Sequence, residues 1–194
     1  MEILDRNKLL PPPFGSYAGD RDKPTATDLL SAQVGRMDMS PDQGGHTAMP
    51  VFGMKPASAL SYNDERQTRD IVLLASEATS NLCREAPHWS FIVDVTVENS
   101  SQNITNRASL AQGPMVLSTM SVDPREGEKY PRGNYCARGA RFGTHSSEEN
   151  FRNPYYGRLT FIALFTGGVR AWDIREPQAP VEVGFYVPES NANT

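Results

Sequence analysis

The sequence predicts an all-β protein of short antiparallel strands, grouped into two similar four-stranded units. Three observations carry this expectation. The 194-residue chain is 38% hydrophobic and holds 15 Gly and 15 Pro, a balance that suits many strands and turns better than long helices. The stretch from Arg158 to Pro188, RLTFIALFTGGVRAWDIREPQAPVEVGFYVP, reads as three strands in succession. The same order of strands and turns also occurs earlier in the chain, which marks a repeated unit.

Taken in order, residues 1–32 are expected to be an extended, partly disordered lead-in. Glu2 to Leu10 has some amphipathic character and stops at Pro11-Pro12-Pro13, a triplet that favours a polyproline segment. Thr25 to Ala32 suits one or two helical turns, with Thr25 or Thr27 as cap. The repeating part spans 33–194, with units at about 33–122 and 123–188. Val34-Gly35 stands where Val183-Gly184 stands in the later unit, so the segment from Gln33 reads as the last strand of a preceding unit. Gly44 to Gly53 then supplies a short strand. Asp70 to Ser76 is a buried strand, and Trp89 to Val95 and Met115 to Val122 complete the first unit.

The second unit repeats the order, with Arg141 to His145, Leu159 to Phe165, Val169 to Ile174 and Val181 to Val187. Gly167-Gly168 is a strong hairpin signal. Pro177 and Pro180 make the next turn, since proline presets φ and donates no hydrogen bond to a ladder. Between them, Val169 to Ile174 alternates, with Val169 and Ala171 expected inward and Arg170 and Trp172 outward. Asp94 corresponds to Asp173, and Pro114 to Pro180. An extra polar piece between Asp94 and Pro114 carries Asn99-Ser-Ser and Asn103-Ile-Thr. These fit a glycosylation acceptor only in a secreted eukaryotic setting, and otherwise read as a solvated loop.

The run GGVRAWDIREPQAPVEVGFYVP resembles the LVIVD repeat, in which a hydrophobic strand and a Gly turn precede a V-R-x-x-D-I-x-x-P-x-x-P-x-E-V-G unit. Asp173, Pro177, Pro180 and Gly184 fall at the places of that unit. The physical logic stands beside the resemblance: Asp173 accepts hydrogen bonds from the next turn, the prolines stiffen it, and Gly184 permits close backbone approach. The stretch from Tyr135 to Asn150 is similar to a Cys, R-F-G and His loop before the last blade of longer bacterial LVIVD-type proteins. Glu148 stands where that resemblance leads one to expect a second histidine. The resemblance implies a β-propeller-like fold of about two four-stranded antiparallel blades plus a leading strand, the C-terminal blades of a longer protein. Two blades leave strand edges open, so self-association or further chain is expected to complete them. The architecture also resembles selenium-binding proteins, which include a copper-dependent methanethiol oxidase, in fold and histidine placement.

The net charge of −4, without a basic block, argues against nucleic acid as a partner. No apolar run approaches the roughly 20 residues of a membrane-spanning helix. The segment MEILDRNKLLPPP has no apolar core behind a basic start, so it shows no signal peptide. No nucleophile elbow, Gly-rich phosphate loop or H-E-x-x-H motif is present.

The three histidines carry the chemical expectation. His46 and His145 start the first strands of successive units, and His88 sits just before a third strand, so all three are expected at one rim. Neutral imidazole is the commonest transition-metal ligand, and Glu148, Glu149 and Asn150 come after His145 as oxygen donors or supports. Arg138, Arg141 and Arg170, with Glu149, form a candidate rim for a carboxylate or phosphate ligand; the other reading pairs these arginines with Asp173, Glu149 or Glu176. Cys83 and Cys136 fall on loops of the same rim and read either as free thiols or as a disulfide. Trp89 and Trp172 are expected to pack between the units. The expected role is a binding or interaction scaffold for a protein or small-molecule ligand. The alternative is a metal-dependent, oxidase-like enzyme using the histidine rim.

Overall fold

The computed structural model describes residues 1–56, 68–96, 113–124, 134–148 and 151–189. The chain forms two compact units, Met1–Asp38 belonging to one and Met39–Thr96 with Met115–Thr194 to the other. In the first, strand β1 (Glu2–Leu4), helix α1 (Arg6–Leu9), helix α2 (Ala26–Ala32) and strand β2 (Gln33–Arg36) succeed one another. Thr25 caps α2 through a capping box, its side chain accepting from Asp28 N while its own N–H donates to the Asp28 carboxylate. β2 pairs antiparallel with β1 in a two-stranded sheet, so it does not end a preceding four-stranded unit. A partner near the start of the chain satisfies the backbone groups that a lone leading strand would leave open.

The second unit holds two four-stranded antiparallel sheets, each in simple chain order. The first runs β3 (Gly45–Met54), β4 (Arg69–Ser76), β5 (Ser90–Asp94) and β6 (Met115–Met120). The second runs β7 (Ser146–Ser147), β8 (Leu159–Leu164), β9 (Gly168–Asp173) and β10 (Val181–Tyr186). The fold is therefore all-β, as expected, with the predicted strands in the predicted order. The strand expected at Arg141–His145 begins just after it, at Ser146. Among the described residues each sheet is open, and none closes on itself. No helix among them is long and apolar enough to cross a membrane.

One apolar cluster joins the two sheets. Met49, Val51, Ile71, Leu73, Ile92 and Met120 come from the first, and meet Ile162, Leu164 and Trp172 of the second. The first strands of the sheets also adjoin, since Ser147 N donates to Thr47 Oγ1 at 3.3 Å. Further along, Ser118 Oγ on β6 donates to Pro177 O at 2.6 Å, and Tyr156 OH accepts from Phe52 N at 2.8 Å.

The phase of β9 is opposite to the expected one. Val169 is exposed, while Arg170 and Trp172 are buried. An inward arginine is tolerated because it is paired and stacked. Its guanidinium donates to Tyr135 OH at 2.8 Å, lies 3.4 Å from a Glu182 oxygen, and sits 5.4 and 5.3 Å from the Tyr135 and Phe185 ring centres. Trp172 thus enters the shared core, but Trp89, just ahead of β5, is 40% exposed and does not. On β5 Ser90, Ile92 and Val93 are buried and Phe91 is partly exposed, and residue 89 lies on the side of Phe91.

Asp94 and Asp173 end equivalent strands and do the same local work. Each accepts the backbone N–H two residues on, Thr96 N at 2.9 Å and Arg175 N at 3.0 Å. Hydrogen bonds from the Arg175 side chain and backbone hold the Asp173 carboxyl below its ordinary range. Asp173→Ala is expected to lower stability by about 1–2 kcal/mol, the scale of a lost turn hydrogen bond. A urea midpoint equal to that of the unaltered chain would count against this role.

The close backbone approach expected at Gly184 occurs at Gly168 instead. A Cβ on Gly184 would meet only Ala171 Cβ at 3.9 Å, whereas one on Gly168, at φ +77°, would stand 2.2 Å from Tyr186 O. Gly184 marks the bulge between β9 and β10.

Candidate metal centre

Antiparallel pairing decides which residues share the open end of the first sheet. Gly45 lies opposite Ser76, so the start of β3 and the residue after β4 are neighbours, and Glu77 N donates to Gly44 O at 2.9 Å. His46 is the second residue of β3, and Glu77 stands beside it. The segment before β7 brings in His145, whose backbone N donates to Ala163 O at 2.9 Å. Adjoining first strands then place the two imidazoles 4.6 Å apart between ring centres.

The result is a His–Glu–His group whose ligand atoms all lie within 4.8 Å of one another. His46 Nε2 is 3.8 Å from Glu77 Oε2, and His145 Nε2 is 3.8 Å from Glu77 Oε1. These separations are too long for hydrogen bonds. Donor atoms sharing one tetrahedral ion lie about 3.4 Å apart, given bonds of about 2.0–2.2 Å, so side-chain adjustments of up to about 1.4 Å would let all three bind one ion. The three side chains are 29–39% exposed, which leaves coordination positions open to solvent.

A stacking contact holds the His145 ring. The ring stacks on Phe165 at 4.7 Å between centres, and Phe165 itself adopts φ +30°, a region that bulky residues rarely visit. Arg141 also lies over Phe165, its guanidinium 5.4 Å from that ring centre and 3.2 Å from Glu77 Oε1. Glu77 therefore faces two imidazoles and one guanidinium.

His88 belongs to a different environment. It is buried, with Nδ1 2.8 Å from Ser76 Oγ and Nε2 3.5 Å from Glu85 Oε1. Serine, histidine and carboxylate are thus in line, but Ser76 is fully buried on β4 and offers no nucleophile to an outside substrate. His88 is expected at the common rim yet faces inward, because Ser76 and Glu77 point to opposite sides of the chain. Glu85 is pushed up by burial, but hydrogen bonds from Ser80 N, Thr79 Oγ1 and Thr79 N, with His88 adding to them, outweigh this and hold it at about 2. The unfolded chain binds this proton nearer the ordinary 4.5, so Glu85 stabilises the fold fully above that pH and loses its contribution as pH falls towards 2. Acid unfolding of Glu85→Gln is expected to be flatter across that window, and parallel curves for the two proteins would refute it.

The arginines do not form one anion rim. Arg138 donates to the carbonyls of Thr166 and Pro188 at 2.6 and 2.9 Å, and Arg170 is fully buried beside Glu182. Arg141 alone joins the histidines. Glu149 and Asn150 lie outside the described residues, as do the Asn99 and Asn103 acceptor patterns. Glu148 is not in the group; its backbone N pairs with Phe161 O, and burial pushes its carboxyl up. The cysteines form a disulfide, Cys83 to Cys136, with Cα atoms 5.4 Å apart. It binds the loop after Glu77 to the segment before Arg141, alongside the bonds Leu82 N to Ala140 O and Ala78 N to Thr144 O, both 3.0 Å.

Glu77 is the residue that histidine counting missed. Its signal was present: a carboxylate one residue past a strand that pairs antiparallel with the strand bearing His46. No family model, curated protein or solved structure matches this chain, so the residues themselves carry the functional argument.

Proposed function

We propose that this chain is a propeller-like binding scaffold of the LVIVD-repeat type, whose own ligand is a divalent transition metal held by His46, Glu77 and His145. The single observation that carries the metal is the convergence of three donor atoms within 4.8 Å at the meeting of the two first strands. Two imidazoles and a carboxylate suit zinc, iron or copper rather than calcium or magnesium, which prefer all-oxygen sets. The blade reading is supported by two four-stranded antiparallel sheets with adjoining first strands and one common core. The disulfide supports a working place that is oxidising.

Metal analysis of the purified protein, with titration of the chelator-treated protein by Zn²⁺ and Co²⁺, tests the centre. One ion per chain is expected, with Glu77→Gln and His145→Ala each weakening it at least tenfold. Equal metal content in all three proteins would end the proposal. The second reading is a metal-dependent, oxidase-like enzyme, favoured by the half-open coordination shell. It requires turnover that disappears with the metal.

Among the described residues β10 ends its sheet, and it presents Val181, Val183 and Tyr186, each 55–70% exposed. Self-association through this edge is expected at micromolar concentration. Light scattering that finds only monomer would contradict it.

A further inference from the structure

Arg141 shares the Glu77 carboxylate with the proposed metal centre. Its guanidinium lies 3.2 Å from Glu77 Oε1, the oxygen that also faces His145 Nε2. A cation on a ligating carboxylate competes with a metal for the same lone pairs and repels the ion directly. Yet Arg141 is not locked there. Its side chain is 41% exposed, its other contacts are a 3.5 Å approach to Ala78 O and the face of Phe165, and its backbone is held independently by the bridge to Asn81. The side chain can swing while the backbone stays.

Charge decides how the pocket responds to metal loading. With both imidazoles neutral, Glu77 and Arg141 balance each other. A divalent ion added to this pair leaves the pocket two charges positive, in a site with open coordination positions. Such a site draws an anion able to meet a metal and a guanidinium fork together, which describes a small oxyanion. We infer that metal binding exchanges Arg141 from Glu77 to a small oxyanion, a phosphate or carboxylate group, which bridges the metal and the guanidinium. Metal and anion therefore bind cooperatively, each raising the affinity for the other by the same factor. This rests on the metal centre proposed above.

The test uses the full chain with Co²⁺, inorganic phosphate and acetate, read by calorimetry and by the visible cobalt spectrum. In phosphate-free buffer Arg141→Gln is expected to bind Co²⁺ about three- to tenfold more tightly, because a half-exposed competitor is gone. The same variant, loaded with Co²⁺, is expected to bind phosphate about tenfold more weakly than the unaltered protein, and Arg141→Lys to lie between. A merely structural arginine would not move these two affinities in opposite directions. Phosphate shifts with acetate silent identify a phosphate site, and the reverse identifies a carboxylate site. If Co²⁺ binds in a Glu77-dependent way but Arg141→Gln changes neither affinity, the exchange is overturned and the metal centre stands. If neither the unaltered protein nor Arg141→Gln takes up Co²⁺, the metal centre itself falls and the exchange with it.

Discussion

Arg170→Met is expected to destabilise the protein by about 3–5 kcal/mol, the scale for removing one partner of a buried ion pair. Arg170 has no exposed surface, and Glu182, 3.4 Å away, keeps only 13% of its side chain in water. The methionine would restore most of the volume but neither the charge beside Glu182 nor the hydrogen bond to Tyr135 OH. Arg170→Met with Glu182→Gln is expected to lose much less than the sum of the two single changes, since a neutral amide is cheaper to bury than a carboxylate. Urea unfolding of the four proteins measures the coupling. Additive losses would mean that the pair contributes nothing beyond its separate packing.

Replacing both cysteines by serine is expected to cost about 3–4 kcal/mol. Cys83 and Cys136 are 53 residues apart, and the chain-entropy model assigns a closed loop of that length about 4 kcal/mol. For a chain of this size the change corresponds to a melting point lower by roughly 10 °C. Thermal unfolding with and without a thiol reductant checks it, because reduction of the unaltered protein should reproduce the double substitution. A reductant-insensitive melting point would show that the reduced unfolded chain keeps this loop closed by other means. The disulfide runs beside the metal centre, yet Leu82–Ala140 and Ala78–Thr144 tie the same two segments. Reduction is therefore expected to lower stability more than it lowers metal affinity.

Strand identity was legible wherever local pattern and punctuation agreed. Leu159–Leu164 and Gly168–Asp173 were bounded by Gly167-Gly168, and Val181–Tyr186 by Pro180, so their ends could be read within a residue or two. The same held for Arg69–Ser76, a short apolar run too brief for a helix. The inward face of β9 was not legible. Alternation fixes only that Val169 and Arg170 point opposite ways, and hydrophobicity assigns the arginine outward by default. The default failed because Tyr135, Phe185 and Glu182, from two other segments, build a lined socket for the guanidinium.

The candidate site divides along the same line. Composition and spacing were enough to make the chain all-β, to set the order of eight strands in two sheets, and to put His46 and His145 at corresponding strand starts. Those are local or periodic properties, written into neighbouring residues. Glu77 opposite His46, Arg141 against Glu77, His88 turned inward and the closing of Cys83 on Cys136 depend on which segments lie side by side. Such contacts join residues 12 to 64 positions apart in the chain, and no local preference specifies them; they exist because two sheets bury one core and so bring their first strands and flanking loops together.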